Sequence, residues 1–267
     1  MDKKLSTIAL EVGYKKGQPV VKQVSFDVKA GEIIAVVGAN GAGKSTILKT
    51  ITRQLNKLDG NIRICDMDDS EINEEAMAKK VSMVTTERIH PELMTCYDVV
   101  ATGRYPYTGR LGILSDDDRE AIAYAIDLVG AGTIVNEDFS KVSDGQRQRV
   151  MLARAICQDT DIMILDEPTS FLDIQFKLDI LSIIRRLAKE QNKAVVMSIH
   201  ELEFVPAIAD AVIGIYDNSV YKIGSPKEIL TGENLEVMYH MASGEGKIMA
   251  EGLWQYAQAL ERLICQK

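Results

Sequence analysis

The chain has 267 residues, enough for one sizeable α/β domain with a helical part added and short of two full domains. Apolar residues make up 46% and charged residues 26%, which excludes a disordered or fibrous chain. The net charge of -8 shows no basic excess, so work on nucleic acid finds no support.

Residues 5–12 and 20–28 alternate in the manner of strands, with Gly17, Gln18 and Pro19 as the turn between them. Ile33, Ile34, Ala35, Val36 and Val37 form an unbroken apolar run, the pattern of a strand buried on both faces of a parallel sheet. A glycine-rich turn follows, then a helix from near Lys44. Further buried strands are expected at 81–85, 162–165 and 194–199, separated by helices at 117–129, 146–157 and 174–191. That alternation argues for a parallel sheet flanked by helices.

Residues 87–160 hold helices and loops without a buried strand and read as a helical subdomain set into the sheet domain. Residues 211–216 and 220–223 flank Asp217, Asn218 and Ser219 as a hairpin. Residues 226–267 look helical, with Trp254, Tyr256, Leu260 and Leu263 at helical spacing expected to form a stripe for core packing or for docking. Cys65, Cys96, Cys157 and Cys265 are scattered and make no CxxC pair, so zinc and redox chemistry find no support. No apolar run reaches the ~18 residues of a membrane helix, and the amino terminus lacks a signal peptide's apolar core. A cytoplasmic chain is expected, with any membrane role passing through a partner.

Gly38-Ala39-Asn40-Gly41-Ala42-Gly43-Lys44-Ser45 matches G-x-x-x-x-G-K-[ST] between a buried strand and a helix. Gly38, Gly41 and Gly43 let the backbone fold tightly enough for its N–H groups to wrap phosphates, and the following helix adds the positive end of its dipole. Lys44 is expected to reach the β- and γ-phosphates and Ser45 to ligate magnesium; Asn40 and Thr46 complete the binding set. Chance alone yields roughly one such match per hundred chains of this length, and the strand–loop–helix setting lowers that further. Ile162 to Leu165 then lead into Asp166 and Glu167 at the carboxyl edge of the sheet, where ligands bind. Asp166 is expected to hold magnesium and Glu167 to orient or deprotonate the attacking water. Together these motifs predict hydrolysis of a nucleoside triphosphate.

Three further pieces carry a family resemblance. Val142-Ser143-Asp144-Gly145-Gln146, just before a helix with Arg147 and Arg149, resembles the signature sequence of ABC transporter ATPases. Ser170-Phe171-Leu172-Asp173 is similar to the D-loop of that family, and His200 stands at its switch histidine. His90 and His240 carry no such assignment. Tyr14 matches the aromatic residue that stacks on adenine. The resemblance runs to about residue 240. It implies a P-loop NTPase fold with a parallel-sheet core, an antiparallel β subdomain and an inserted helical subdomain at about 87–160. Residues 1–240 are then the ATPase domain and 241–267 a helical extension.

The resemblance further implies ATP and Mg2+ as cofactors, with Lys44, Glu167 and His200 catalytic. It also implies a head-to-tail homodimer in which Ser143, Gly145, Gln146 and Asp173 of one copy complete the site of the other. Asp144 departs from the family's glycine, and Thr86 stands where its Q-loop has glutamine, with Glu87 as a candidate substitute. The run from Val99 to Gly109, with Arg104 and Tyr105, looks like the segment of iron–siderophore, haem and cobalamin uptake ATPases that meets the permease; Ser225 to Leu230 is similar to a run there. Transmembrane permease subunits, and indirectly a solute-binding protein, are the implied partners, at the cytoplasmic face of the membrane. The alternatives are a soluble ABC-type ATPase acting on ribosomes or DNA, and a non-hydrolysing ATP-gated interaction module.

Overall fold

The computed structural model describes residues 2–85, 87, 91–170 and 172–265; Thr86, His90 and Phe171 lie outside them. The described residues form ten strands in one sheet: β1 (Lys3–Val12), β2 (Val21–Lys29), β3 (Ile33–Val37), β4 (Asp59–Ile64), β5 (Met67–Asp68), β6 (Val81–Val84), β7 (Ile162–Asp166), β8 (Ala194–Ser198), β9 (Ala211–Tyr216) and β10 (Ser219–Gly224). The α-helices are α1 (Lys44–Ile51), α2 (Glu74–Ala78), α3 (Cys96–Ala101), α4 (Asp116–Leu128), α5 (Asp144–Cys157), α6 (Ile174–Gln191), α7 (Val205–Ile208), α8 (Pro226–Ile229), α9 (Gly232–Tyr239) and α10 (Glu245–Cys265).

Across the sheet the order is β5-β4-β1-β2-β10-β9-β3-β8-β7-β6. Strands β9, β3, β8, β7 and β6 run parallel, with Val36 of β3 opposite both Ser198 and Ile213. Strands β5, β4, β1 and β2 are antiparallel neighbours, and one pair, Ser219 opposite Lys22, joins them to the rest.

The period of two along β3 explains why this strand is apolar throughout. Ile33, Ala35 and Val37 point into the core built with α3 to α6, while Ile34 and Val36 point into a second core with α1, β1 and β2. Each such side chain taken from water stabilises the fold by about 1.5–3 kcal/mol. The phosphate-loop strand is therefore clamped from both sides.

Between β6 and β7 the described residues contain helices and the isolated bridge Thr95–Asp138, with no strand. Helices α3 and α4 begin where Thr95 and Ser115 close capping boxes with Asp98 and Asp118, each satisfying an otherwise orphaned amide. Arg104, expected at a surface loop, is instead buried. Its Nε donates to Asp118 Oδ1 at 2.8 Å, its Nη1 to the Cys157 carbonyl at 2.9 Å, and its guanidinium stacks 3.8 Å from the Tyr107 ring centre. A cation can enter the interior only with such partners. Tyr105 beside it stays exposed.

The expected stripe on α10 is also corrected. Leu253, Ala257, Leu260 and Ile264 face the core, whereas Tyr256 and Leu263 are 47% and 46% exposed. At 3.6 residues per turn, Tyr256 and Leu263 lie about 40° and 60° from Leu260 on the side away from Ala257 and Ile264, at the edge of the buried face.

Candidate functional site

The loop after β3 is shaped by glycines that its surroundings require. Gly38 has φ 151°, and a Cβ there would lie 2.6 Å from the Ile215 carbonyl oxygen. Gly43 has φ 95°, and its Cβ would lie 2.4 Å from Val21 Cγ2. Any side chain at either position expels the strand behind it. Helix α1 starts directly after Gly43 with no acidic residue in its first turn, so the positive end of its dipole meets the cleft uncompensated.

Lys44 is buried at the base of this loop. Its Nζ donates to the carbonyls of Gly38 at 2.9 Å and Ala39 at 3.0 Å. Burial pushes the ammonium below the ordinary lysine range, and the negative charges of Glu167 and Asp166 oppose that shift.

Strand β7 delivers Asp166 and Glu167 beside the loop. Asp166 Oδ1 accepts from Ser45 Oγ at 2.9 Å and Ser198 Oγ at 2.7 Å. Its Oδ2 is buried with no hydrogen-bond partner. A buried bare carboxylate oxygen next to a serine hydroxyl fits a hard divalent cation that retains several waters. The donor set thus matches the roles expected of Ser45 and Asp166.

Glu167 adopts φ 47°, a left-handed conformation that strains an ordinary residue by about 1–2 kcal/mol. Its amide donates to Ser198 Oγ at 2.9 Å, its Oε2 accepts from Ser170 Oγ at 2.9 Å, and its Oε1 is hydrogen-bonded to His200 Nε2. Strain held by three partners turns this carboxylate out of line with the strand. The next residue in the chain, Glu201, accepts from Lys177 Nζ at 2.8 Å and Thr169 Oγ1 at 2.9 Å. Burial would raise the Glu201 carboxyl, but those hydrogen bonds outweigh it and keep it below the usual range. The sequence reading passed over Ser198, Thr169, Lys177 and Glu201. Only the place of Ser198 near the end of an apolar strand, two residues before His200, could have flagged it.

These groups enclose a cleft of about 620 Å³ bounded by Tyr14, Asn40, Gly41, Gly43, Lys44, Ser45, Thr46, Glu167 and His200. That size suits a nucleotide. The Tyr14 ring is 67% exposed, with its hydroxyl 3.4 Å from Thr46 Oγ1, so one face is open to a base. Nine of the residues expected at the nucleotide therefore meet in one place, with Gly38 and Asp166 directly behind them.

Ser143, Gly145, Gln146 and Asp173 are not brought to that cleft. Ser143 caps α5 in a capping box, accepting from the Gln146 amide while Gln146 Oε1 accepts from the Ser143 amide. Asp173 caps α6 by accepting from the Phe176 amide at 3.1 Å. A Cβ on Gly145 would meet its nearest atoms at 3.6 Å, so packing within this chain does not require glycine there. Asp144 is turned onto Arg147 Nη1 at 2.9 Å, which partly neutralises its charge at the helix start. Glu87, the candidate substitute at the Q-loop, is instead paired with Lys49 and does not border the cleft. Thr86 and Phe171 lie outside the described residues.

A family model described as ABC transporter matches residues 21–170. An uncharacterized ABC transporter ATP-binding protein of Methanocaldococcus jannaschii is 38% identical over 89% of this chain and 81% of its own length. The iron(3+)-hydroxamate import ATP-binding protein of Bacillus subtilis is 32% identical over 89% of this chain and 88% of its own. A solved metal-chelate type ABC transporter in an inward-facing conformation superposes with a TM-score of 0.78 at 29% identity, covering 90% of each chain. With the phosphate loop, the acid pair and the capped signature helix in place, this chain belongs to the ABC transporter family as one of its ATP-binding, ATP-hydrolysing subunits.

Proposed function

We propose that two copies of this chain close head to tail on two MgATP molecules and drive import of a metal chelate of the iron–siderophore, haem or cobalamin type. Import runs through a separate membrane permease. The observation that carries the cargo class is the likeness, over about nine tenths of both chains, to a ferric hydroxamate importer subunit and to a metal-chelate transporter.

Within the cleft, Lys44 and the loop amides bind the triphosphate, and Ser45 with Asp166 would hold Mg2+, which when bound would supply charge to offset that of the β- and γ-phosphates. Glu167 orients water in line with the γ-phosphate and accepts its proton at Oε1 or Oε2. His200, hydrogen-bonded to Glu167, is placed to sense whether the γ-phosphate is there. Tyr14 receives the adenine.

The missing wall comes from the second copy. Ser143 and the amide of Gly145, at the start of the fourteen-residue helix α5, suit an incoming γ-phosphate, and a glycine that nothing in its own chain requires leaves room for one. ATP then glues the two copies and its hydrolysis releases them. Contact with the membrane comes through that permease; no described helix is long and apolar enough to cross a bilayer. The chain is placed at the inner membrane face by the permease. Exposed Tyr105 is the residue of the 99–109 segment open to such a partner.

The test is capture of the membrane partner. The chain carrying a purification tag is recovered from detergent-solubilised membranes, and uptake of a radiolabelled ferric hydroxamate, of haem and of cobalamin is measured after reconstitution. Co-recovery of a multi-span permease and ATP-dependent uptake of one of these is expected. Recovery with ribosomes, or a permease that moves none of the three, would overturn the proposal.

A further inference from the structure

The mechanism leaves one buried contact to the phosphate loop unused. Gly38 lies at the exit of β3, and its backbone is gripped on two sides. Its carbonyl accepts from Lys44 Nζ at 2.9 Å, and its amide donates to the Tyr239 hydroxyl at 3.2 Å, across 201 residues of sequence. Tyr239 is the last residue of α9. Burial pushes its phenol up to about 12 while the Gly38 amide acts the other way, so the group is neutral and a competent acceptor under ordinary conditions.

We infer that Tyr239 is a positioning residue of the nucleotide site, its hydroxyl holding the Gly38 amide and so setting the carbonyls on which Lys44 docks. One observation besides the hydrogen bond carries this. Helix α9 is itself a firm anchor. Met238 Sδ packs so close to Gly214 that a Cβ there would lie 2.6 Å away, and a Cβ on Gly246 of α10 would lie 2.2 Å from the Gly232 carbonyl. Glu236 Oε1 also accepts from the Gly244 amide at 2.6 Å. Removing the hydroxyl leaves the buried Gly38 amide without its acceptor, and the loop must shift to relieve it. The residues after 226, which carry no motif of the chemistry, thereby become part of the phosphate grip.

The inference rests on the nucleotide-site reading, and Tyr239→Phe in the full-length protein tests it. ATP and ADP affinities by calorimetry are expected to weaken about fivefold, the worth of one hydrogen bond. KM for ATP should rise to match, while kcat stays within about twofold and the nucleotide-free melting midpoint falls by only about 2–4 °C, the size of one buried hydrogen bond. Ile122→Val in α4 is the control: it thins the core far from the loop, so it should lower the midpoint and leave KM alone. Unchanged affinity in Tyr239→Phe overturns the inference, as does an equal rise in KM from Ile122→Val. If the wild-type protein bound neither nucleotide, the site reading itself would fall. Wild-type binding with an indifferent Tyr239→Phe removes the positioning role alone.

Discussion

Ser198 and Asp166 share a 2.7 Å hydrogen bond that occupies one carboxylate oxygen and leaves the other buried and bare. The same Ser198 oxygen accepts the Glu167 amide at 2.9 Å. One hydroxyl thus orients the proposed cation ligand and supports the strained residue that follows it.

Ser198→Ala is therefore expected to raise the magnesium concentration needed for half-maximal hydrolysis several-fold, because Asp166 loses a donor that fixes its rotamer. Asp166→Asn should abolish magnesium-dependent turnover while ATP still binds in the presence of a chelator. A magnesium titration of phosphate release checks both.

Glu167→Gln keeps the shape of the side chain and removes the proton acceptor. Phosphate release should fall about a hundredfold or more, and saturating MgATP should shift the protein from monomer to dimer on gel filtration. Elution as a monomer under those conditions would count against the shared site.

Lys44 is an ammonium confined at the loop's base, and its depressed pKa makes it a burden on the nucleotide-free fold. Lys44→Met should raise the melting midpoint without nucleotide and weaken ATP binding at least tenfold. The sign follows from linkage. Between the lowered folded value and the ordinary lysine value, the unfolded chain binds more protons, so wild-type stability climbs with pH there. The gap between wild type and variant should narrow through that alkaline window, as denaturant melts at several pH values will reveal.

Arg104→Ala leaves Asp118 buried and unpaired and strips the stack on Tyr107, so a loss of about 3–5 kcal/mol is expected in urea unfolding. Burial alone would raise Asp118, but the Ser115 amide and the Arg104 guanidinium outweigh it and hold the carboxyl below its usual range. The stabilisation is present above the ordinary aspartate value and disappears as pH falls through the lowered one. Exposed Tyr105→Ala should leave both unfolding and basal hydrolysis unchanged while reducing coupled uptake.

The catalytic half of the chain was readable because its chemistry is local. Gly38 to Ser45, Asp166 with Glu167, and His200 each sit at the end of an apolar run that can only be an interior strand, so motif and element announced one another. Strands β4 and β5 escaped notice: Asp59, Gly60, Asn61 and Arg63 lack a strand's usual side chains, and pairing with β1 holds Asn61 and Arg63 in the sheet beyond a bulge at Gly60. Arg104 misled for a different reason. Whether an arginine is solvated or interred depends on Asp118 and Cys157, fourteen and fifty-three residues away, and no window around Arg104 contains both. The helix α10 stripe was set off-centre, since apolar residues three and four apart let it be drawn along the exposed edge of the buried face.

The placement of β3 between β8 and β9 has a consequence for biosynthesis. The Ile33 amide reaches Asp210 Oδ2 at 2.8 Å across 177 residues, so the segment that precedes the phosphate loop finds its sheet neighbours only in the last third of the chain. While the ribosome is still working through the middle of the message, Ile33 to Val37 are an unmated greasy segment. A nascent chain stalled before residue 194 cannot assemble the grip on nucleotide.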